Sequence, residues 1–438
     1  MGVDTFAGKR TDLISFANSP RGVFLLPLWY TRKMLQKSSC PHCGSTPVNH
    51  TIAKLAVRLG MLQNPVARLI NWIREKCVTP YIDRLTDVCV RGAVLFRIGK
   101  LKDAPTLRDS MRTRVLWEEA LARNIPLKEF WLFGQPTELF LFTLDGRKYT
   151  FESLPRPLRV GHSESLWMDD KWKLKQKLLQ ARLPVARGVL VKNKSELEYV
   201  LATLHLPLIT KPHIGSRSRH TTLHIGTSVE LIQGFESALQ LSPYVIVEEE
   251  LVGFVFRGTL IGGKLAGIVR REPAVVYGDG KKTIAELVTL ENKNPKRDDT
   301  LFHKIVLDNS TEKILMLQNL TLDTIVSNGV TVFLGDKTSR SAGGGITEVT
   351  KETHPDVVEL LEECARVIDE PIIGIDFIMK DHTKSWKLEP RMGIIECNSV
   401  PFIDLHHFPL VGTPRNIAGM VWDFAYPTSA TTRGALGK

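Results

Sequence analysis

The sequence predicts a mixed fold, α+β or α/β, from three observations. From Pro184 to the C-terminus, apolar runs of strand length alternate with segments of helical period. Upstream, Phe140–Leu144, then Asp145-Gly146, then Lys148–Phe151 reads as a β-hairpin closed by an Asp-Gly turn. Near the C-terminus, Ile372–Met379 and Met392–Asn398 read as buried strands that each carry a carboxylate.

Taken in order, residues 1–50 read as irregular, with polar clusters at Asn18-Ser19-Pro20 and Ser38-Ser39. From Ile52 to about Arg97 the spacing is helical, through Leu55, Val57, Leu59, Leu62, Val66, Leu69, Ile70 and Ile73. Gly60, Pro65 and Pro80 divide this stretch into two or three amphipathic helices. Residues 112–124 and 168–182 predict two further helices, the second with acidic residues at its start. No repeat or low-complexity tract stands out.

A chain of 438 residues with 43% hydrophobic content can bury a core large enough for two or three domains. The apolar run Val23–Tyr30 is interrupted by Pro27 and is far shorter than the roughly 20 residues of a membrane helix. A cytoplasmic protein without membrane contact is therefore expected. Residues 1–150 hold 23 Lys+Arg against 12 Asp+Glu, and residues 151–438 hold 35 of each, so the first third carries the whole net charge of +11. That third fits an anionic partner such as nucleic acid, and a solvated basic face is the plainer account. Six cysteines, at 40, 43, 77, 89, 364 and 397, are too few and too scattered for a disulfide framework. Cys40-Pro-His-Cys43 has the spacing of half a zinc knuckle, but Cys77 and Cys89 make no second close pair. Free thiols are the default expectation, with zinc or a redox dithiol as alternatives.

Three constellations carry chemistry. The strand Pro207–Thr210 delivers Lys211-Pro212 to a turn-rich segment, His213–Thr222, in which Lys211, Arg217, Arg219 and backbone amides suit ligand phosphates. A surface turn with two arginines is the bland alternative. Tyr244–Gly253 runs from a strand into Glu248, Glu249 and Glu250, a pattern that fits either a base-reading hinge or a charged strand end. In the third, alternation puts Glu396 and Asn398 on one face of their strand, and antiparallel pairing would bring Asp376 beside them. Three hard oxygen ligands suit Mg²⁺ bridging nucleotide phosphates, whereas salt-bridged carboxylates are the alternative.

In this order the segments resemble the ATP-grasp ligases, most of all the ATP-grasp part of cyanophycin synthetase and of bifunctional glutathione synthetase. The resemblance spans about residues 165–428 and includes Asp170-Lys171, Lys211-Pro212 and Val247–Leu251. It continues through Arg270–Leu287, Asn292, Asn294–Arg297, Ser341–Thr350, His354-Pro355 and Gly412–Asn416. It implies an α+β ATP-grasp fold, two α+β subdomains gripping ATP, over residues 166–438, with a lid at about 195–247. A pre-ATP-grasp region (111–165) and a basic, largely helical region (1–110) would precede it.

The resemblance also implies roles. Lys171, Lys211 and Ser216 would hold ATP phosphates, and Glu248, Glu249 and the backbone near Leu251 would read adenine. Asp376, Glu396 and Asn398 would hold one or two Mg²⁺, or Mn²⁺ in their place. Arg257, Arg271 and Arg340 would serve the transferred phosphate or a substrate carboxylate. The implied activity joins an amino acid or small peptide carboxylate to an amine through an acyl phosphate, releasing ADP and phosphate, in a protein of homo-oligomeric relatives. A catalytically degenerate nucleotide-binding regulatory or scaffold protein is the second reading. Several positions depart from the family pattern: Ser216–His220 replaces loop glycines, and Val255 replaces a ribose-binding carboxylate. Gly335, Ser339 and Phe402 also differ, which implies an acceptor unlike those of the relatives.

Overall fold

The computed structural model describes residues 40–43, 48–62, 82–106, 109–156, 168, 170–215, 219–336 and 338–428. The helical spacing expected at Val66–Ile73, the apolar run Val23–Tyr30, Cys77 and Ser216 lie outside the described residues. The chain divides into two compact units, one of residues 1–71 with 187–250 and one of residues 72–186 with 251–438. No helix among the described residues is long and apolar enough to cross a membrane.

The first unit contains helix His50–Leu62 and a four-stranded antiparallel sheet of order β5-β8-β6-β7. Its strands are β5 (Gly188–Val191), β6 (Leu208–Pro212), β7 (Thr222–Ile225) and β8 (Val245–Glu249), numbered in chain order after β1–β4 of the second unit. Helix Ser228–Leu239 lies on this sheet and starts in a capping box: Thr227 Oγ1 accepts from the Glu230 N–H, and the Glu230 carboxylate accepts from the Thr227 N–H. Leu231, Phe235 and Ala238 of the helix are buried with Leu208, Ile225, Val245 and Val247 of the strands. The approach is close enough that a Cβ on Gly234 would stand 2.6 Å from Thr210 Oγ1, so the helix carries glycine there.

The second unit begins with the meander β1 (Gly99–Lys102), β2 (Lys128–Leu132), β3 (Gln135–Leu144) and β4 (Arg147–Glu152), paired in that order. The expected hairpin joins β3 to β4, with Asp145 and Gly146 at φ 50° and 74°, the left-handed pair that a two-residue hairpin turn requires. The larger sheet contains β9 (Phe254–Ile261), β10 (Lys264–Glu272), β13 (Gly345–Glu348), β14 (Ile372–Met379) and β15 (Gly393–Asn398), in the order β13-β10-β9-β14-β15. A short pair, β11 (Val275–Tyr277) and β12 (Thr331–Phe333), lies apart from it.

Each face of the five-stranded sheet has its own occupant. Helix Pro355–Ile368 starts with Pro at its first position, behind an N-cap at His354. It buries Val357, Leu360, Leu361, Cys364, Ala365 and Ile368, an apolar stripe at intervals of three and four. Against that stripe pack Phe256 and Leu260 of β9 and Ile373, Ile375 and Phe377 of β14. Burying each such side chain contributes about 1.5–3 kcal/mol. Alternation then turns Arg257, Thr259, Gly374 and Asp376 to the other face, so the sequence of these strands itself selects which side carries charge. Helices Met111–Ala122 and Ile417–Ala425 build a second core with the meander, centred on Trp117, Phe140, Phe142 and Trp422.

Candidate active site

In the second unit, cross-strand register aligns three of the expected residues. Asp376 of β14 stands opposite Arg257 of β9 on one side and Glu396 of β15 on the other. Directly opposed residues in antiparallel strands share a face, so Arg257, Asp376 and Glu396 form a row across the sheet. Gly374 opposes Asn398, which places Asn398 two residues along the same face from Glu396. The register shifts between Asp376 and Phe377, whose partners are Glu396 and Ile394. One extra residue, Ile395, is thereby accommodated, and Ile394 and Cys397 still reach the apolar core while Glu396 and Asn398 face away from it. Arg271 of β10 opposes Val255 of β9, two positions along that strand from Arg257.

Asp376 is 3% exposed, and both its oxygens are engaged by Arg257. Arg257 Nη2 donates to Asp376 Oδ2 at 2.5 Å, and Arg257 Nε donates to Oδ1. Burial opposes the charge of Arg257, but the Asp376 carboxylate outweighs it and raises the guanidinium pKa above its ordinary value. At Arg271 burial prevails and lowers the pKa, although Asp376 and Glu396 pull the other way. Arg340, in the short turn Arg340–Ala342, donates from Nη2 to Asp404 Oδ2 at 3.0 Å. Among the described residues, Arg340 Nη1 and Asp404 Oδ1 are buried without hydrogen-bond partners. Lys171 opens helix Lys171–Gln180, where Asp170 Oδ1 accepts from the N–H groups of Trp172 and Lys173 at 3.1 Å. That cap aims Lys171 Nζ to within 3.9 Å of Glu396 Oε1.

Asp376, Glu396 and Asn398 are the hard oxygen donors that Mg²⁺ takes. Asn398 Nδ2 is buried with no hydrogen-bond partner, so among the described residues the protein does not itself satisfy that amide. Two carboxylates, one of them partly exposed, and the Asn398 amide oxygen on one sheet face fit a divalent cation, while the unsatisfied Nδ2 is a donor that suits a bound phosphate.

The remaining expected residues lie mainly in the first unit. Lys211 on β6 and Glu248 on β8 are both largely buried, and Lys211 Nζ donates to Glu248 Oε1. Glu249 accepts from the His205 N–H at 3.0 Å and lies 2.9 Å from His205 Nδ1. Leu251 belongs to the second unit. The departures also have places: Phe402 is 45% exposed with the Arg112 guanidinium 5.7 Å from its ring centre, and Ser339 Oγ lies 2.7 Å from Ser341 Oγ.

Two groups beside this cluster have no signal in the sequence that would single them out. Asp404 is 1% exposed, and its charge acts on Arg257 as well as bonding Arg340. His406 is fully buried, with Nε2 2.8 Å from Thr259 Oγ1. Burial, with Arg257, His407 and Arg415 adding to it, pushes its pKa down to about 3. Thr259 follows Arg257 by two residues on β9, so His406 lies under the same face.

No family model matches the chain. Its sequence is 31% identical over 268 residues to cyanophycin synthetase from Trichormus variabilis, covering 60% of this chain and 30% of that protein. Identity reaches 33% over 270 residues with the cyanophycin synthetase of Crocosphaera subtropica, over 60% of this chain and 31% of that one. The glutathione biosynthesis bifunctional protein GshAB of Clostridium perfringens is 28% identical over 328 residues, 72% of this chain and 41% of the relative. The chain thus spans about a third of the length of the cyanophycin synthetases it matches. Among solved structures, a bifunctional glutathione synthetase from Pasteurella multocida superposes with a TM-score of 0.54 at 22% identity, over 72% of this chain and 43% of that one. The shared fold is the α+β ATP-grasp fold.

Proposed function

We propose that this ATP-grasp chain is an ATP-dependent carboxylate–amine ligase that makes an amide bond through an acyl phosphate. The observation that carries this reading is the row Arg257, Asp376 and Glu396 on one sheet face, with Arg271, Asn398 and Lys171 around it. Phosphoryl transfer needs positioning and charge neutralisation more than covalent help from the protein. Arg257, Arg271 and Arg340 beside Asp376, Glu396 and Asp404 supply positive charge where an anion would sit, with the carboxylates compensating it before the anion binds.

In the first step a substrate carboxylate oxygen attacks the γ-phosphorus of ATP; a new O–P bond forms, the bond between the γ-phosphorus and the β–γ bridging oxygen breaks, and ADP leaves with that oxygen. In the second, an amine attacks the acyl carbon, the acyl C–O bond breaks, inorganic phosphate departs and the nitrogen loses a proton. Arg257, Arg271 and Arg340 would balance charge on the transferred phosphoryl group and the substrate carboxylate. Lys171 and Lys211 would hold nucleotide phosphates, with Ser216 contributing from the segment between β6 and β7. Glu248, Glu249 and the backbone near Leu251 would read adenine. Asp376, Glu396 and Asn398 would hold Mg²⁺, which when bound supplies charge neutralisation at the phosphates. The substrates are an amino acid or a small peptide, on the likeness to cyanophycin and glutathione synthetases.

A nucleotide-binding regulatory protein is the second reading. Val255 favours it, since it stands opposite Arg271 where a ribose-binding carboxylate is expected. Phosphate release from ATP across a panel of amino acids and dipeptides separates the two. Substrate-dependent release that is abolished by Asp376→Asn supports the ligase; ATP binding without any substrate-dependent release supports the regulatory protein.

A further inference from the structure

We propose that Cys40, Cys43, His50 and His220 hold a structural zinc ion in the first unit. One ligand atom from each residue lies within 4.8 Å of all the others, and Cys43 and His220 are buried. Cys43 Sγ is 3.3 Å from His50 Nε2 and 3.4 Å from His220 Nε2, and Cys40 Sγ is 3.5 Å from His220 Nε2. With Zn–S about 2.3 Å and Zn–N about 2.0–2.1 Å, the sulfur–nitrogen edge of a zinc tetrahedron is about 3.5–3.6 Å. The three sulfur–nitrogen distances are thus close to that edge, and the remaining pairs lie within 4.8 Å.

Hydrogen bonding alone does not account for this arrangement. His220 Nδ1 lies 2.8 Å from the Ser237 carbonyl oxygen, which can only accept, so Nδ1 carries the proton and Nε2 presents a single lone pair. Both thiols converge on that one lone pair. A carbonyl that fixes the tautomer of an imidazole is also the outer support that zinc-binding histidines use.

The sequence hid this site because its fourth ligand is not local. Cys40 and Cys43 have two residues between them and His50 follows seven residues after Cys43, but His220 is 177 residues beyond Cys43. Four protein ligands close the coordination sphere, which marks a structural and not a catalytic zinc. The ion would tie residues 40–50 to the connection that enters β7, where the His220 N–H already donates to the His42 carbonyl at 3.0 Å. His220 follows Lys211 by nine residues, so the tether also fixes one end of the segment proposed to cover nucleotide phosphates. On binding, each thiol yields its proton to solvent and coordinates as thiolate.

The test uses the full chain, purified with its thiols reduced. Elemental analysis is expected to find one zinc per chain, unchanged in Asp376→Asn and lost in Cys43→Ser and His220→Gln. Cobalt(II) added to the metal-free wild type is expected to give the intense visible bands of a tetrahedral ion and near-ultraviolet thiolate-to-cobalt charge transfer. That spectrum needs no variant, so misfolding of a substituted chain does not decide the question. A wild type that contains no zinc and gives only the weak bands of octahedral cobalt overturns the proposal. So does zinc retained in Cys43→Ser and His220→Gln, or a Cys40–Cys43 disulfide in place of metal.

Discussion

Arg257 and Asp376 face each other across β9 and β14, two nitrogens against two oxygens, with both side chains buried. The pair occupies a carboxylate that is also proposed to ligate metal. The two uses are compatible because each carboxylate oxygen has a second lone pair besides the one that accepts from the guanidinium. A buried pair of this kind is strongly destabilised when one partner is removed, since the other charge is left in a low-dielectric interior. Arg257→Ala and Asp376→Ala are each expected to cost about 3–5 kcal/mol in urea unfolding. The double variant is expected to cost clearly less than the sum, and strict additivity would show that the pair is not coupled.

Lys211 gives a prediction about nucleotide binding alone. Its ammonium is held by Glu248 within the first unit, and a phosphate would draw the same charge. Hydrogen bonds to charged groups contribute about 1.5–3 kcal/mol, so Lys211→Met is expected to weaken ATP binding about 10- to 100-fold by calorimetry. Adenosine, which has no phosphate, is expected to bind both proteins alike. Equal loss of both ligands would point to a general disturbance of the fold.

His406 makes stability depend on pH. Its folded pKa is pushed down to about 3 by burial, against about 6.5 in the unfolded chain. Below pH 6.5 the unfolded state takes up a proton that the folded state refuses, so this contribution is complete above pH 6.5 and is lost progressively as pH falls toward 3. The slope is about 1.4 kcal/mol per pH unit in that window. Comparing wild type with His406→Gln in urea at pH 7 and pH 5 isolates it: the stability gap between them should shrink or invert at pH 5. A gap that stays constant would mean that His406 is not held neutral.

Gly234 tests the packing of the first unit. A Cβ there meets Thr210 Oγ1 at 2.6 Å, on a strand whose position is fixed by pairing with β8. Gly234→Ala is expected to destabilise this unit by about 1–3 kcal/mol despite the better helix propensity of alanine. Thr210→Ala in the same chain should restore most of the loss, as read by hydrogen exchange in helix Ser228–Leu239.

What the sequence made legible follows from the range of each signal. The Asp145-Gly146 hairpin and the shared face of Glu396 and Asn398 are encoded within a few residues, and both are present in the structure. The helix expected at 168–182 forms over Lys171–Gln180, capped by Asp170. The partner of Asp376 was not legible, because Arg257 lies 119 residues away and only the register of β9 against β14 brings it opposite. Nor was the extra residue at Ile395, which alternation alone does not mark as a bulge. His406 and Asp404 carry no periodic pattern that separates them from ordinary helix residues. The grouping of residues 187–250 with the N-terminal segment likewise depends on contacts such as those of His220, far apart in the chain.

The central claim is that the Asp376 face performs ATP-dependent amide synthesis, and phosphate release measured with an amino-acid and dipeptide panel tests it most directly. The wild type is expected to release phosphate only when a carboxylate substrate is present. Hydroxylamine, which captures acyl phosphates, should then yield the corresponding hydroxamate, and Asp376→Asn should lower both signals at least 100-fold, about 2.7 kcal/mol of transition-state stabilisation. Phosphate release that ignores the panel, or equal release by wild type and Asp376→Asn, would contradict the claim.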